Sequence, residues 1–188
     1  MDIEKGPIEG LLILTPRVLR DERGFFLESY NERSFAEAGI THPWRQDNHV
    51  ASTAGVLRGL HFQRRPGQAK LIRCVRGRIF DVAVDIRPDS PTLGRWFGSE
   101  LTAESFRMFY VPVGFAHGYA VLSEEAEVFY KCSNVYDAAE EDGFRWDDPE
   151  VGVEWPLESP IISERDRNCQ SFSQTMARIR SMPEHTSS

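Results

Sequence analysis

Over most of this chain apolar and polar residues alternate with a period of two, and turn-forming residues interrupt the alternation about every 8 to 12 positions. From Trp44 onward the pattern predicts strands over Trp44 to Ser52, Val56 to Gln63, Ala69 to Val75, Arg78 to Ile86, Arg95 to Leu101, Arg107 to Val111, His117 to Val121 and Glu127 to Asn134. The breaks fall at Ala54-Gly55, Pro66-Gly67, Arg76-Gly77, Pro88 to Gly94, Thr102 to Ser105, Pro112 to Gly114 and Ser123 to Glu125. Short strands in this number predict an all-β fold, an antiparallel double-sheet jelly-roll barrel. Such barrels hold a ligand in the mouth or interior, so polar residues at inward-facing positions are candidates for a site.

Before Trp44, apolar runs at Leu11 to Leu14 and Val18-Leu19 are split by Thr15-Pro16, a strand pattern with a break. Asp21 to Gly24 forms a turn that opens into Phe25-Phe26-Leu27-Glu28. Asn31 to Gly39 has an N-cap candidate at one end and a C′ glycine at the other, which predicts one short helix. Beyond Tyr136 an acidic segment, Asp137 to Asp142, leads to Trp146 and Trp155, which are expected to anchor loops. Ser163 is a cap candidate for a turn of helix in Ser163-Glu164-Arg165-Asp166. A single domain is expected over residues 1–181, with a disordered tail at 182–188.

One stretch departs from ordinary strand chemistry. Gly55 to Lys70 reads GVLRGLHFQRRPGQAK, too polar for a buried strand and too apolar for a loop. Strict alternation puts Leu57, Gly59, His61 and Gln63 on one face and Arg58, Leu60 and Phe62 on the other. A strand lining a wet cavity fits this pattern, and His61 on it is a candidate for proton transfer.

Composition narrows the function classes. At 188 residues the chain buries roughly 70% of its unfolded surface on folding and needs neither disulfide nor metal to do so. Lys and Arg number 22 against 29 Asp and Glu, a formal charge of −7, and no long basic run interrupts the acidic background. Nucleic acid is therefore not the expected partner. Cys74, Cys132 and Cys169 are odd in number, widely spaced and without a CxxC, as expected of reduced thiols in a cytoplasmic protein. MDIEKGPIEG lacks a basic n-region followed by an apolar h-region, so no signal peptide is expected there, and no run of about 18 apolar residues suggests a membrane span.

The candidate chemistry gathers at His61, Lys70, the segment Pro112 to Gly118 and Tyr130-Lys131. Barrels of the cupin kind commonly hold metal with an HxH pair and Glu on one strand and a further His after a PxG turn. Here Pro112, Gly114 and His117 supply the second half, but the first is reduced to His61-Phe62-Gln63. Two imidazoles without a third strong ligand make a poor catalytic metal site, so none is expected. Without metal, the same cavity offers a base (His61), a cation (Lys70) and a phenol (Tyr130). A base on one side of a carbon and an acid on the other inverts a stereocentre, and Lys70 or His117 is a candidate to stabilise an enolate oxygen.

The segments DERGFF (21–26), QDNH (46–49), GVLRGLHFQ (55–63), QAKLIRC (68–74), FDVAVDIR (80–87), PVGFAHGY (112–119) and FYK (129–131) closely resemble the dTDP-4-dehydrorhamnose 3,5-epimerase family, in consistent order over about residues 8 to 170. The resemblance implies a cupin-like jelly roll, a homodimer without metal or cofactor. Its expected activity is epimerisation of carbons 3 and 5 of dTDP-4-dehydro-6-deoxy-D-glucose to dTDP-4-dehydro-L-rhamnose. It implies His61 as proton acceptor with Asp166 orienting it, Tyr130 as proton donor, and Lys70 and His117 at the sugar, Lys70 steadying the enolate. It further implies that Arg23, Glu28, Gln46, Asn48 and Arg58 bind the nucleotide sugar, Arg23 and Glu28 reaching across the dimer. Tyr136 matches a position that stacks on thymine, Glu141 one at the nucleotide end, and Arg165 stands where relatives often carry Lys. Alternation puts Arg58 on the wrong face for this role, so either a bulge at Gly59 or a reach around the strand end is expected.

Besides a metal-dependent cupin oxygenase or isomerase, which would show stoichiometric metal by elemental analysis, two alternatives remain at this level. One is an epimerase of the same scaffold acting on carbon 5 or carbon 3 alone in a deoxysugar antibiotic pathway. The other is a non-catalytic sugar-nucleotide-binding barrel, against which His61, Tyr130 and Asp166 together argue.

Overall fold

The computed structural model describes residues 1–182. Two antiparallel sheets face each other. The first runs in the order β1 (Asp2–Lys5), β2 (Leu12–Thr15), β10 (Met108–Val111), β7 (Lys70–Arg76), β12 (Glu125–Cys132), β5 (Gln46–Thr53). The second runs β13 (Glu141–Gly143), β6 (Leu57–Gln63), β11 (Phe115–Val121), β8 (Arg78–Asp85), β9 (Trp96–Thr102). A separate hairpin joins β3 (Val18–Asp21) to β4 (Gly24–Leu27) through the predicted turn. This is the antiparallel double-sheet architecture that the alternation predicts, and the cupin-like jelly roll that the resemblance implies.

Each sheet buries both faces over its central strands. Ile13, Ile72, Cys74, Ile79, Ala83 and Phe109 fill the space between the sheets. The outer face of the first sheet is covered by α1 (Glu32–Glu37) through Phe35, packed near Leu14, Leu71 and Met108. The outer face of the second is covered by α3 (Phe172–Ser181), whose Phe172 and Met176 meet Leu60, Val82, Val84 and Phe144. Double coverage is why β11 is buried at all seven positions although its sequence, FAHGYAV, contains a histidine.

The predicted helix at Asn31 to Gly39 forms as α1, with the Asn31 side chain accepting from the backbone of Arg33 and Ser34. Ser163 likewise caps α2 (Glu164–Arg167) by accepting from the Asp166 N–H. Strand ends shift by one to two residues. β11 begins at Phe115 rather than His117 because Phe115 pairs with Asp85, and β5 begins at Gln46 because Trp44 instead packs against Tyr30 and Tyr110. The alternation did not predict α3. Its signal is local: Ser171 and Gln174 form a reciprocal capping box. The tail expected to be disordered lies, beyond Met182, outside the described residues.

The turn after β8 is held by a buried carboxylate. Asp85 accepts from Arg87 Nε at 2.9 Å and from the Ser90 and Thr92 hydroxyls at 2.6 Å each. Burial pushes this carboxyl up, but the bonds from Arg87, Ser90 and Thr92 outweigh it and hold Asp85 at about 2. A depressed folded value stabilises the fold above the ordinary carboxylate range, and that contribution fades as pH falls through about 2. Asp85→Asn is expected to cost about 2 kcal/mol at pH 7, lowering the melting temperature by about 4–8 °C. Melts of both proteins should draw together below the ordinary carboxylate range and converge only as pH drops below about 2, and an unchanged melt at pH 7 would refute the role.

Candidate active site

His61 stands on β6 at the inner face, and its Nε2 meets Asp166 Oδ1 at 2.6 Å. The His61 side chain is 23% exposed and that of Asp166 3%. Asp166 is placed by its own turn of helix: Ser163 Oγ accepts its N–H, and the backbone N–H of Gly59 approaches Asp166 Oδ2 at 3.4 Å. Burial pushes the Asp166 carboxyl up, but the His61 contact, the Gly59 N–H and Ser163 together hold it below the usual carboxylate range. An ionised carboxylate on Nε2 fixes the tautomer with the proton there, leaving Nδ1 as the acceptor.

Arg58 reaches the same cavity because the strand is bulged as expected. In the pairing with β11, His61 faces His117 and Arg58 faces Tyr119, so Gly59 and Leu60 stand against Gly118 alone. Three residues apart on β6, Arg58 and His61 therefore line one cavity of about 440 Å³. Gly59 adopts φ +129, and a Cβ there would come within 2.6 Å of Gly118 Cα. Only glycine fits both the conformation and the close approach.

The opposite wall belongs to the first sheet. Tyr130 pairs with Ile72 and Asn48, and Cys132 pairs with Lys70 and Gln46. Paired residues share a face, so Gln46, Asn48, Lys70, Tyr130 and Cys132 all point inward. Burial, together with the neighbouring Cys132 and Tyr119, pushes the Tyr130 phenol up to about 12, so it stays protonated at neutral pH. Burial pulls the Lys70 ammonium down, opposed by charge at Cys132, Asp81 and Glu141. The Lys70 ammonium makes no hydrogen bond or ion pair among the described residues, which leaves its donors for a ligand.

Behind Lys70, β11 presents His117 with its Nε2 2.8 Å from Asp81 Oδ1 on β8. Burial lowers His117 and raises Asp81, each partly opposed by the other. Asp81 was not a sequence candidate, because an Asp in the strand FDVAVDIR carries no signal that it faces a histidine across a ladder. Among the described residues no three His, Cys, Asp or Glu side chains gather as a metal site requires.

The remaining candidates divide in two. Gln46, Asn48, Tyr136 and Glu141 line a second cavity that shares His61, Lys70 and Tyr130 with the first. There the Tyr136 hydroxyl donates to Glu141, Arg165 Nη1 donates to Glu141 Oε2 at 2.8 Å, and the Tyr136 N–H donates to Gln46 Oε1 at 2.7 Å. Arg23 and Glu28 line neither cavity of this chain. Arg23 sits on the β3–β4 turn, 84% exposed and paired with Asp21, and Glu28 accepts from Asn31 at 3.0 Å.

Comparison with known proteins places this geometry in context. The profile of the dTDP-4-dehydrorhamnose 3,5-epimerase family matches residues 5–174. The dTDP-4-dehydrorhamnose 3,5-epimerase of Shigella flexneri is 51% identical over 174 residues, covering 92% of this chain and 96% of that protein. Its counterpart from Methanothermobacter thermautotrophicus is 50% identical over 167 residues, covering 87% and 90%. The crystal structure of the Legionella pneumophila dTDP-6-deoxy-D-glucose-3,5-epimerase in complex with dTDP-4-keto-L-rhamnose superposes with a TM-score of 0.92 at 40% identity, covering 99% of both chains. With a histidine–aspartate pair facing a lysine and a phenol between two sheets, and a match over nearly its whole length, this chain belongs to the dTDP-4-dehydrorhamnose 3,5-epimerase family.

Proposed function

We propose that the protein is an isomerase that epimerises carbons 3 and 5 of dTDP-4-dehydro-6-deoxy-D-glucose, giving dTDP-4-dehydro-L-rhamnose, and that it works as a cytoplasmic homodimer without metal or cofactor. The observation that carries this reading is the His61–Asp166 pair on one sheet facing Tyr130 and Lys70 on the other. Nδ1 of neutral His61 takes the proton from a carbon beside the carbonyl, and the C–H electron pair moves onto the oxygen at carbon 4. Asp166 stabilises the imidazolium that forms. Lys70 donates to the enolate oxygen from its half-buried position, with His117 beside it at the sugar, and donors already aimed at the developing charge act more strongly there than in water. Tyr130 then delivers its proton to the opposite face and is reprotonated from solvent. Both carbons flank the same carbonyl, so one base and one acid serve both once the ring turns.

Gln46, Asn48, Arg58, Tyr136, Glu141 and Arg165 hold the nucleotide and its diphosphate in this scheme. Arg23 and Glu28 reach the site of a second copy. Support for the dimer comes from the arm that carries them, where Phe25 and Phe26 are 55% and 67% exposed. No helix among the described residues is long and apolar enough to cross a membrane, and all three cysteines are free.

The deciding experiment is incubation with the substrate in deuterated water. Deuterium at both carbons 3 and 5 with inverted configuration is expected. Incorporation at one carbon reduces the reading to a single-carbon epimerase, and none, with dTDP still bound, leaves a binding barrel. Sedimentation of the same preparation at one chain mass would refute the dimer.

A further inference from the structure

The guanidinium of Arg58 is tethered in an unusual way for a cavity arginine. It crosses from β6 to the opposite sheet, where Nε donates to Ser52 Oγ on β5 at 3.1 Å, and Ser52 Oγ lies 3.4 Å from the Tyr119 hydroxyl on β11. Ser52 and Tyr119 are both buried, and among the described residues Arg58 forms no ion pair. The contrast is Arg165, also at the cavity, which donates to the Glu141 carboxylate. A carboxylate would orient a guanidinium equally well but would compensate its charge, whereas two neutral hydroxyls fix the fork and leave the charge intact. Anchoring through Nε also leaves the two terminal nitrogens, the pair whose geometry matches two phosphate oxygens.

We propose that Ser52 and Tyr119 are positioning residues that aim Arg58 at the diphosphate of the substrate through an uncharged tether. The inference rests on the reading that Arg58 meets the nucleotide sugar, and its consequence is a division of labour. The bulge at Gly59 brings Arg58 to the cavity, and the hydroxyl pair selects which way its fork faces. Because the diphosphate takes no part in the proton transfers and its charge does not change during them, loosening the fork weakens binding of substrate and transition state alike, which raises KM and spares kcat.

The test is steady-state kinetics on Ser52→Ala, Ser52→Thr, Tyr119→Phe, Arg58→Ala and the Ser52→Ala/Arg58→Ala double variant, with dTDP affinity of each measured by calorimetry and folding checked by thermal melts. Ser52→Ala is expected to raise KM and weaken dTDP about tenfold with kcat within about twofold of wild type. Ser52→Thr, which keeps the hydroxyl, is expected to restore both. Tyr119→Phe removes only the outer hydroxyl and is expected to shift KM about threefold, which keeps the test open should Ser52→Ala fold poorly. In the Arg58→Ala background the Ser52→Ala change is expected to add nothing, since its effect passes through Arg58. Unchanged KM and dTDP affinity in Ser52→Ala, or full additivity with Arg58→Ala, overturns the proposal. A wild-type protein that binds dTDP without turnover overturns the functional reading instead, and the dTDP affinities still decide the tether.

Discussion

His61→Asn is expected to abolish both deuterium exchange and epimerisation, lowering kcat by at least about 10³-fold. Every inversion in the proposed scheme begins with proton removal by Nδ1 of His61, and asparagine offers no group basic enough to replace it. Its amide fills the near half of the imidazole's space, so the cavity keeps its shape although the amide stops short of the Nε2 position that meets Asp166 at 2.6 Å. Substrate affinity should therefore hold within a few-fold. Deuterium incorporation followed by NMR, together with calorimetric binding of dTDP, separates these effects. Near-normal exchange in His61→Asn would mean that another group is the base.

Tyr130→Phe is expected to separate exchange from inversion. The phenol stands on β12 across the cavity from His61 on β6, and burial keeps it protonated, so in the proposed scheme it is the donor for the face His61 does not reach. Without it, His61 still removes a proton and returns a solvent-derived one to the same face. Exchange at carbon 5 should persist while net epimerisation falls at least about 10²-fold. Inversion at near wild-type rate would refute the assignment. The two variants together distinguish a two-sided mechanism from one in which a single group works on both faces.

The strand pattern was legible because one face of each strand is buried and the turns are written in glycine, proline and short polar residues. The α1 and α2 caps were legible for the same local reason, in Asn31 and Ser163. The helix α3 was not, because its apolar stripe is short and the acidic, tryptophan-bearing segment before it drew the reading toward loops. Among site residues, His61 stood out as a histidine in an otherwise apolar strand. Asp81 and Ser52 did not, since an aspartate or serine in a strand announces neither its burial nor its partner. Both acquire meaning only through ladder registers and cross-sheet contacts that join positions 36 and 6 residues apart in sequence.

The sequence by itself determined the layered all-β architecture, the resemblance to the epimerase family, and the residue types able to act as base, acid and cation. It also required a bulge at Gly59, or a reach around the strand end, if Arg58 was to join His61. Tertiary structure decided that the bulge exists and that Asp166, 105 residues from His61, lies within a short hydrogen bond of it. It also decided that His61 and Tyr130 stand on opposite walls. Period and composition are properties of neighbouring residues and survive in the linear chain. Register and the facing of two sheets depend on how distant segments pack, and only the folded chain holds that information.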